Sequence, residues 1–301
     1  MNKKRLFALL MAAALATTMT ACGSKDNGTN GSEGSAAYGD AGLGEISVVS
    51  REDGSGTRGA FVELTGVEVK DADGNKTDMT TEDAIITNKT DVMLSTVASD
   101  PAAIGYVSLG SLNENVKAVK IDGAEATSEN VKNGSYKLSR PFNIAVKGEP
   151  TGVAKDFMNF ILSADGQEIV SDGYIAIDDG AAAFATDGSS GKIVVGGSSS
   201  VAPLMEKLIE AYQKINAAAE IELQSQDSTS GMTGTIDGTY DIGMASRELK
   251  DEEAAELTGT PIALDGIAVI VNNENAIEEL STEQVMKVYT GEVTDWSELS
   301  K

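Results

Sequence analysis

The sequence predicts an α/β fold with mainly parallel sheets. Short β-branched runs alternate with helix-period stretches along most of the chain, and Gly- and Ser-rich loops sit where strands hand over to helices. A polar, Gly-rich stretch at 178–191 divides the alternation into two sets. A length of 301 residues is enough for two domains of ordinary size. Apolar content of 41% and charged content of 23% belong to a packed globular body rather than a disordered chain.

The chain opens on a targeting pattern. Lys3, Lys4 and Arg5 precede an apolar run at 6–16 that is too short to span a bilayer. Met19-Thr20-Ala21-Cys22 follows, then a Gly/Ser/Asn/Asp-rich tract. A small residue before cysteine at this point resembles a bacterial lipoprotein signal, with Cys22 as the acylated residue; a plain cleaved signal is the alternative. Residues 1–22 are thus read as signal and 23–44 as a flexible tether.

Beyond the tether, 45–50 reads as a strand and 57–64 as the helix it feeds. Residues 91–98 are helical in spacing, 103–107 and 116–121 read as strands, and 142–146 as another. At 153–161, Phe157, Phe160 and Ile161 recur at helical intervals. After the 178–191 linker, 192–195 is a strand. Residues 201–215 form the clearest helix, with Val201, Leu204, Met205, Leu208, Ile209 and Tyr212 on one face. Strands at 221–223 and 240–245 follow. The long apolar run 261–271 reads as a buried strand interrupted at Gly266. Residues 281–289 are helical, with Ser281 and Gln284 spaced as a capping box.

Composition narrows the function. A formal net charge of -24 removes the basic footprint that nucleic acid requires. It also opposes long-range attraction of an anion, so an anion site must be a local concentration of donors. With no histidine, the commonest general base and metal ligand is missing. The single cysteine excludes disulfides within the chain and thiolate clusters. No EF-hand spacing appears, and no metal or cofactor is expected.

Three loops nevertheless suit an anion. In the first, Arg51 and Asp53 lead into Ser55-Gly56-Thr57 at a helix start, where free N–H groups and the helix dipole favour negative charge. Arg51 offers a planar two-point grip, and Asp53 is placed to hold it. The second is Gly196-Gly197-Ser198-Ser199-Ser200, and the third Asp227-Ser228-Thr229-Ser230-Gly231, with Ser246-Arg247 nearby. Each alone also fits an ordinary capped turn. Together they describe one cage at the carboxyl ends of strands, where open α/β sheets bind ligands. None is a Walker loop or a G-x-S-x-G elbow.

Taken in combination, these segments resemble the phosphate-binding proteins of ABC-type phosphate importers. "SREDGSGTRGAF" is similar to the family's signature loop. "GKIVVGGSSSVAPLMEKLIEAY" resembles its opening strand, loop and helix, and "DSTSGMTGTIDGTYDIGMASREL" the segment after it. "PIALDGIAVIVN" and "SRPFNIAVK" resemble its two crossover strands, and "STEQVMKVYTGEVTDWSEL" the stretch leading to the arginine loop. The order is inverted relative to the family, which implies a circular permutation with 178–191 joining the old ends; a fusion of two partial copies is the alternative.

The resemblance implies a two-lobed periplasmic-binding-protein-like fold of type II. One lobe is 45–140 plus 273–301, and the other 142–177 plus 192–272. It implies that Arg51, Ser55, Gly56 and Thr57 grip phosphate from one lobe. Ser199 and Ser200 do so from the other, with a hydroxyl of Ser228, Thr229 or Ser230. The family's aspartate after Ala-Ser, which accepts a phosphate proton, is Arg247 here. This leaves sulfate or another tetrahedral oxyanion open, with Arg247 counted among the anion-binding candidates. The expected protein is a monomeric lipoprotein on the outer face of the membrane. It delivers inorganic phosphate to a membrane permease and is not an enzyme. A secreted phosphate-ester hydrolase is the weaker reading, because neither a base nor a metal is there to activate a nucleophile.

Overall fold

The computed structural model describes residues 43–71, 75–178 and 180–299. The signal segment, Cys22 and all of the tether except Leu43 and Gly44 lie outside them. Among the described residues no helix is long and apolar enough to cross a membrane.

The chain begins with β1 (Ser47–Arg51), α1 (Gly56–Thr65), the short hairpin β2 (Glu68–Lys70) and β3 (Lys76–Asp78), then β4 (Ile85–Thr87), α2 (Thr90–Ser99) and β5 (Ala103–Ser108). The stretch predicted as one strand at 116–121 is two, β6 (Val116–Ala118) and β7 (Lys120–Ile121), and α3 (Ser128–Lys132) follows. β1 lies parallel to both β4 and β5. Buried on both faces from Val48 to Arg51, it places Val49 in one core with Phe61 and Tyr106, whose rings stack with centroids 4.0 Å apart.

β8 (Ser139–Val146) then leads to α4 (Gly152–Ile161), α5 (Ala164–Ser171), β9 (Gly191–Ser198), α6 (Ala202–Ile215), β10 (Ala219–Gln226), α7 (Ser228–Ile236), β11 (Ile242–Ala245) and α8 (Asp251–Ala254). α6 carries proline in its first turn, where the missing N–H costs nothing. Its predicted stripe, Val201 to Tyr212, is buried throughout. A second core of Phe142, Phe157, Phe160, Leu204, Leu208 and Tyr212 forms under it, separate from the first. The 178–191 stretch is held against this core. Phe184 packs edge-on to Phe160, and buried Asp156 accepts from Thr186 Oγ1, the Asp187 N–H and the Tyr212 hydroxyl at 2.7–3.0 Å.

β12 (Thr258–Asn272) is 15 residues long and runs through both halves of the main sheet. The chain closes with β13 (Glu279–Leu280), α9 (Thr282–Tyr289) and a 3-10 turn. The strand order β10-β9-β11-β8-β12-β5-β1-β4 puts β8 and β12 at the centre. The expectation of mainly parallel sheets needs correction. Pairing is parallel on the flanks but antiparallel at β11–β8, β8–β12 and β12–β5, because the crossing strands enter each half against its direction. β12 passes unbroken through Gly266. Its irregularity lies instead between Pro261 and Ala263, where proline supplies no N–H to the ladder.

Two contacts, one at the centre and one at a flank, bear on function and stability. Arg140 of β8 and Asp265 of β12 are fully buried and 3.2 Å apart. Burial pushes the Asp265 carboxyl up to about 6 and pulls the Arg140 guanidinium down to about 10, so desolvation outweighs their mutual attraction. Far along the chain from β1, residues 294–296 lie beside 44–46. The Ile46 N–H donates to Thr294 O at 2.7 Å, and the Trp296 N–H to Gly44 O at 3.1 Å.

Candidate anion-binding site

The site forms where β1, β4, β9 and β10 end and helices begin, with the end of β11 beside them. Arg51 is the last residue of β1, and its side chain is 3% exposed. One edge of its guanidinium donates twice to Glu52, at 2.8 Å each. Its NH2 also donates to Ser199 Oγ at 3.1 Å, and NH1 to Thr90 Oγ1 at 3.5 Å. The backbone beneath is fixed by Tyr106, whose hydroxyl accepts from the Arg51 N–H and bonds Ser50 Oγ. Burial pushes the Tyr106 phenol up to about 12, with those same hydrogen bonds pulling the other way.

Around Arg51 runs a chain of buried hydroxyls from both cores. Thr57 Oγ1 lies 2.7 Å from Ser200 Oγ and 3.4 Å from Ser246 Oγ. Thr90 Oγ1 lies 3.3 Å from Ser199 and 3.4 Å from Ser200. Ser198 donates to Ser246 at 2.9 Å, and Ser228 Oγ accepts from the Ser246 N–H. Thr57, Thr90 and Ser228 occupy the first turns of α1, α2 and α7, so three helix N-termini converge here. Glycine permits the closeness. A Cβ on Gly56 would stand 2.4 Å from Ser228 Oγ and 2.9 Å from Ser246 Oγ.

The sequence-predicted residues divide into three groups. Arg51, Gly56, Thr57, Ser199, Ser200 and Ser228 are brought together. Ser55 is adjacent but serves as the α1 cap, its Oγ accepting from the Arg58 N–H. Thr229, Ser230, Arg247 and Asp53 lie outside the chain of hydroxyls. Thr229 bonds the Gly54 carbonyl, and exposed Ser230 is tied to Asp227. Arg247 pairs with Glu253 at 2.7 and 2.8 Å. Asp53 does not hold Arg51, because the turn at 53–54 sends its carboxylate outward, 96% exposed, onto Arg58. Glu52 has the place assigned to Asp53.

Ser198 and Ser246 are named in their loops but not among the predicted binding residues, and Thr90 was missed. Ser246 stood next to a residue already singled out, and Thr90 follows a strand of only three residues that carries little pattern.

The charged member of this cluster is Arg51, and every other side chain in it is a neutral hydroxyl. Such an array of donors suits the four oxygens of a small tetrahedral anion. The carboxylate beside it, Glu52, has both oxygens engaged by Arg51. Among the described residues no group of His, Cys, Asp or Glu is placed to hold a metal.

Two cores joined by crossing strands, with anion donors where they meet, define a two-lobed solute-binding protein. The PBP superfamily domain model matches residues 27–165 and 182–301, and the chain belongs to that superfamily. Within it, the chain is 50% identical over 304 residues to phosphate-binding protein PstS 2 of Streptococcus agalactiae serotype V, covering 100% of both chains. It is 46% identical over 266 residues to phosphate-binding protein PstS 2 of Streptococcus pneumoniae serotype 4, covering 88% of this chain and 91% of that one. A crystal structure of a phosphate ABC transporter phosphate-binding protein from Streptococcus pneumoniae TIGR4 superposes with a TM-score of 0.68 at 46% identity, covering 85% of this chain and 100% of that chain.

Proposed function

We propose that this chain is an extracytoplasmic solute-binding protein that captures inorganic phosphate between its lobes and delivers it to the permease of an ABC importer. One observation carries the reading: Arg51, Thr57 and Thr90 on one lobe reach Ser199 and Ser200 on the other within 2.7–3.5 Å. The names of the full-length relatives agree with it.

Phosphate enters the open cleft, and the hydroxyls that bond one another in the closed form turn onto its oxygens. Arg51 keeps Glu52 on one edge and presents the other to the anion. Charge-assisted hydrogen bonds contribute about 1.5–3 kcal/mol each. A handful exceeds the roughly 8 kcal/mol of a micromolar complex before ordering costs. No bond is made or broken, and closure is a rigid-body movement of the lobes about β8 and β12.

Two further parts complete the reading. Cys22 carries a lipid anchor, and 23–44 tethers the body to the outer face of the membrane; the signal pattern around Cys22 supports this. The chain is a circular permutant of the family's usual order. The contact of residues 44–46 with 294–296 supports that, since the family's order would join these two segments directly.

Calorimetric titration of the tether-free body with phosphate, then with sulfate, tests the function. Micromolar or tighter phosphate binding with at least tenfold weaker sulfate is expected. Equal or stronger sulfate binding would replace phosphate by a less selective oxyanion reading, which arginine rather than a carboxylate at position 247 would explain. Turnover of a chromogenic phosphate ester would favour the hydrolase reading instead.

A further inference from the structure

Arg247 stands where a ligand-facing carboxylate is expected, yet its guanidinium faces away from the hydroxyl cluster. Two of its nitrogens grip Glu253, and NH1 also donates to Glu248 O at 2.9 Å. Burial works against the Glu253 charge, but the Arg247 hydrogen bond and the Lys250 N–H hold the carboxyl below its ordinary range. The remaining contact of the head is NH2 to Thr229 Oγ1, at 3.2 Å. A guanidinium only donates, so this bond uses a lone pair of the threonine oxygen. The threonine proton is then free to point elsewhere, and Gly54 O lies 3.2 Å away on the other lobe. The Thr229 N–H donates to the same carbonyl at 3.2 Å. The stem of Arg247 reaches across as well. Its Cγ lies 3.1 Å from a Cβ built on Gly56, and its Cδ 4.0 Å from one on Gly59, one helical turn along α1.

We propose that Arg247 is a positioning residue for lobe closure. Anchored by Glu253, it orients the Thr229 hydroxyl so that the Thr229 side chain and main chain both latch onto the Gly54 carbonyl. The relay holds the closed form shut around the anion without touching it. This rests on the cleft-binding reading above. It makes a kinetic claim: a latch made only on closure governs release, not capture.

Stopped-flow phosphate binding to wild type, Thr229→Val, Thr229→Ser, Arg247→Gln and the Thr229→Val/Arg247→Gln double variant tests it. Thr229→Val is expected to release phosphate about three- to tenfold faster, with the association rate within about twofold of wild type. Thr229→Ser restores slow release. Arg247→Gln also speeds release, and the double variant is no faster than Thr229→Val alone, because Arg247 acts through Thr229. Unchanged release in Thr229→Val would overturn the latch. So would multiplying effects in the double variant, which would make Arg247 act independently of Thr229. Failure of wild type to bind phosphate would overturn the functional reading instead. The latch is then read from spin labels at Ser95→Cys and Glu206→Cys in a Cys22→Ser background. Fewer closed molecules in Thr229→Val supports it, and an unchanged distance distribution overturns it.

Discussion

Arg51 has two faces, and each has a different task. Glu52 fixes the guanidinium plane, and the nitrogens that reach Ser199 and Thr90 are the ones proposed to meet phosphate. Arg51→Lys keeps the charge but loses the fork, so phosphate affinity is expected to fall at least about tenfold; Arg51→Met should lose about a hundredfold or more. Calorimetry on folded variants checks both. Gly56→Ala puts a methyl against Ser228 at the start of α7 and Ser246 at the end of β11. It should weaken phosphate binding while leaving the melting temperature of the ligand-free protein nearly unchanged, read by calorimetry and thermal unfolding. Most of this cluster was legible in the sequence. Gly, Ser and Thr at one strand-to-helix junction also fit an ordinary capped turn, but three such loops together point to one site, since α/β sheets place such loops at the same end. What was not legible turns on single peptide orientations. Whether Glu52 or Asp53 meets Arg51 depends on which way one turn points. Thr90 was hidden because β4 is short and both its isoleucines are exposed.

Helix ends and short pairings carry the next level. The capping box of Ser281 and Gln284 is present as its spacing predicted. The stripe of α6 and the aromatic interval of α4 are buried as their periods required. The bond between Arg247 and Glu253 spans a turn and a four-residue helix, which no period announces. Its pH dependence follows from the depressed Glu253 carboxyl. A depressed carboxylate stabilises the fold above its unfolded value and loses that contribution as pH falls through the folded one. Wild type should therefore melt higher than Glu253→Gln at neutral pH, with the gap narrowing in acid. Melting curves between neutral pH and pH of about 3 check the sign. Asp156 provides the corresponding staple for residues 186–187. Removing it as Asp156→Ala leaves the Tyr212 hydroxyl without that buried acceptor, at an expected cost of about 1–3 kcal/mol in urea unfolding.

Over the whole molecule, two long strands, β8 and β12, connect two cores, and a buried charge pair lies between those strands. The alternation of elements revealed the α/β class. It did not reveal that the central pairings are antiparallel, because direction depends on which strands cross between lobes. Burial disfavours both charges of Arg140 and Asp265, and removing either partner leaves the other buried and unpaired. Asp265→Asn should destabilise by about 3–5 kcal/mol, while Asp265→Leu with Arg140→Met should cost less than either single change, both read by denaturant unfolding. The larger claim concerns the cleft itself, where side chains more than a hundred residues apart meet across the lobes. A crystal structure of the tether-free body grown with phosphate tests that claim most directly. The account predicts one phosphate touching Arg51 and Thr57 from one lobe and Ser199 and Ser200 from the other. Phosphate held by one lobe alone, or bound away from this cluster, would contradict it.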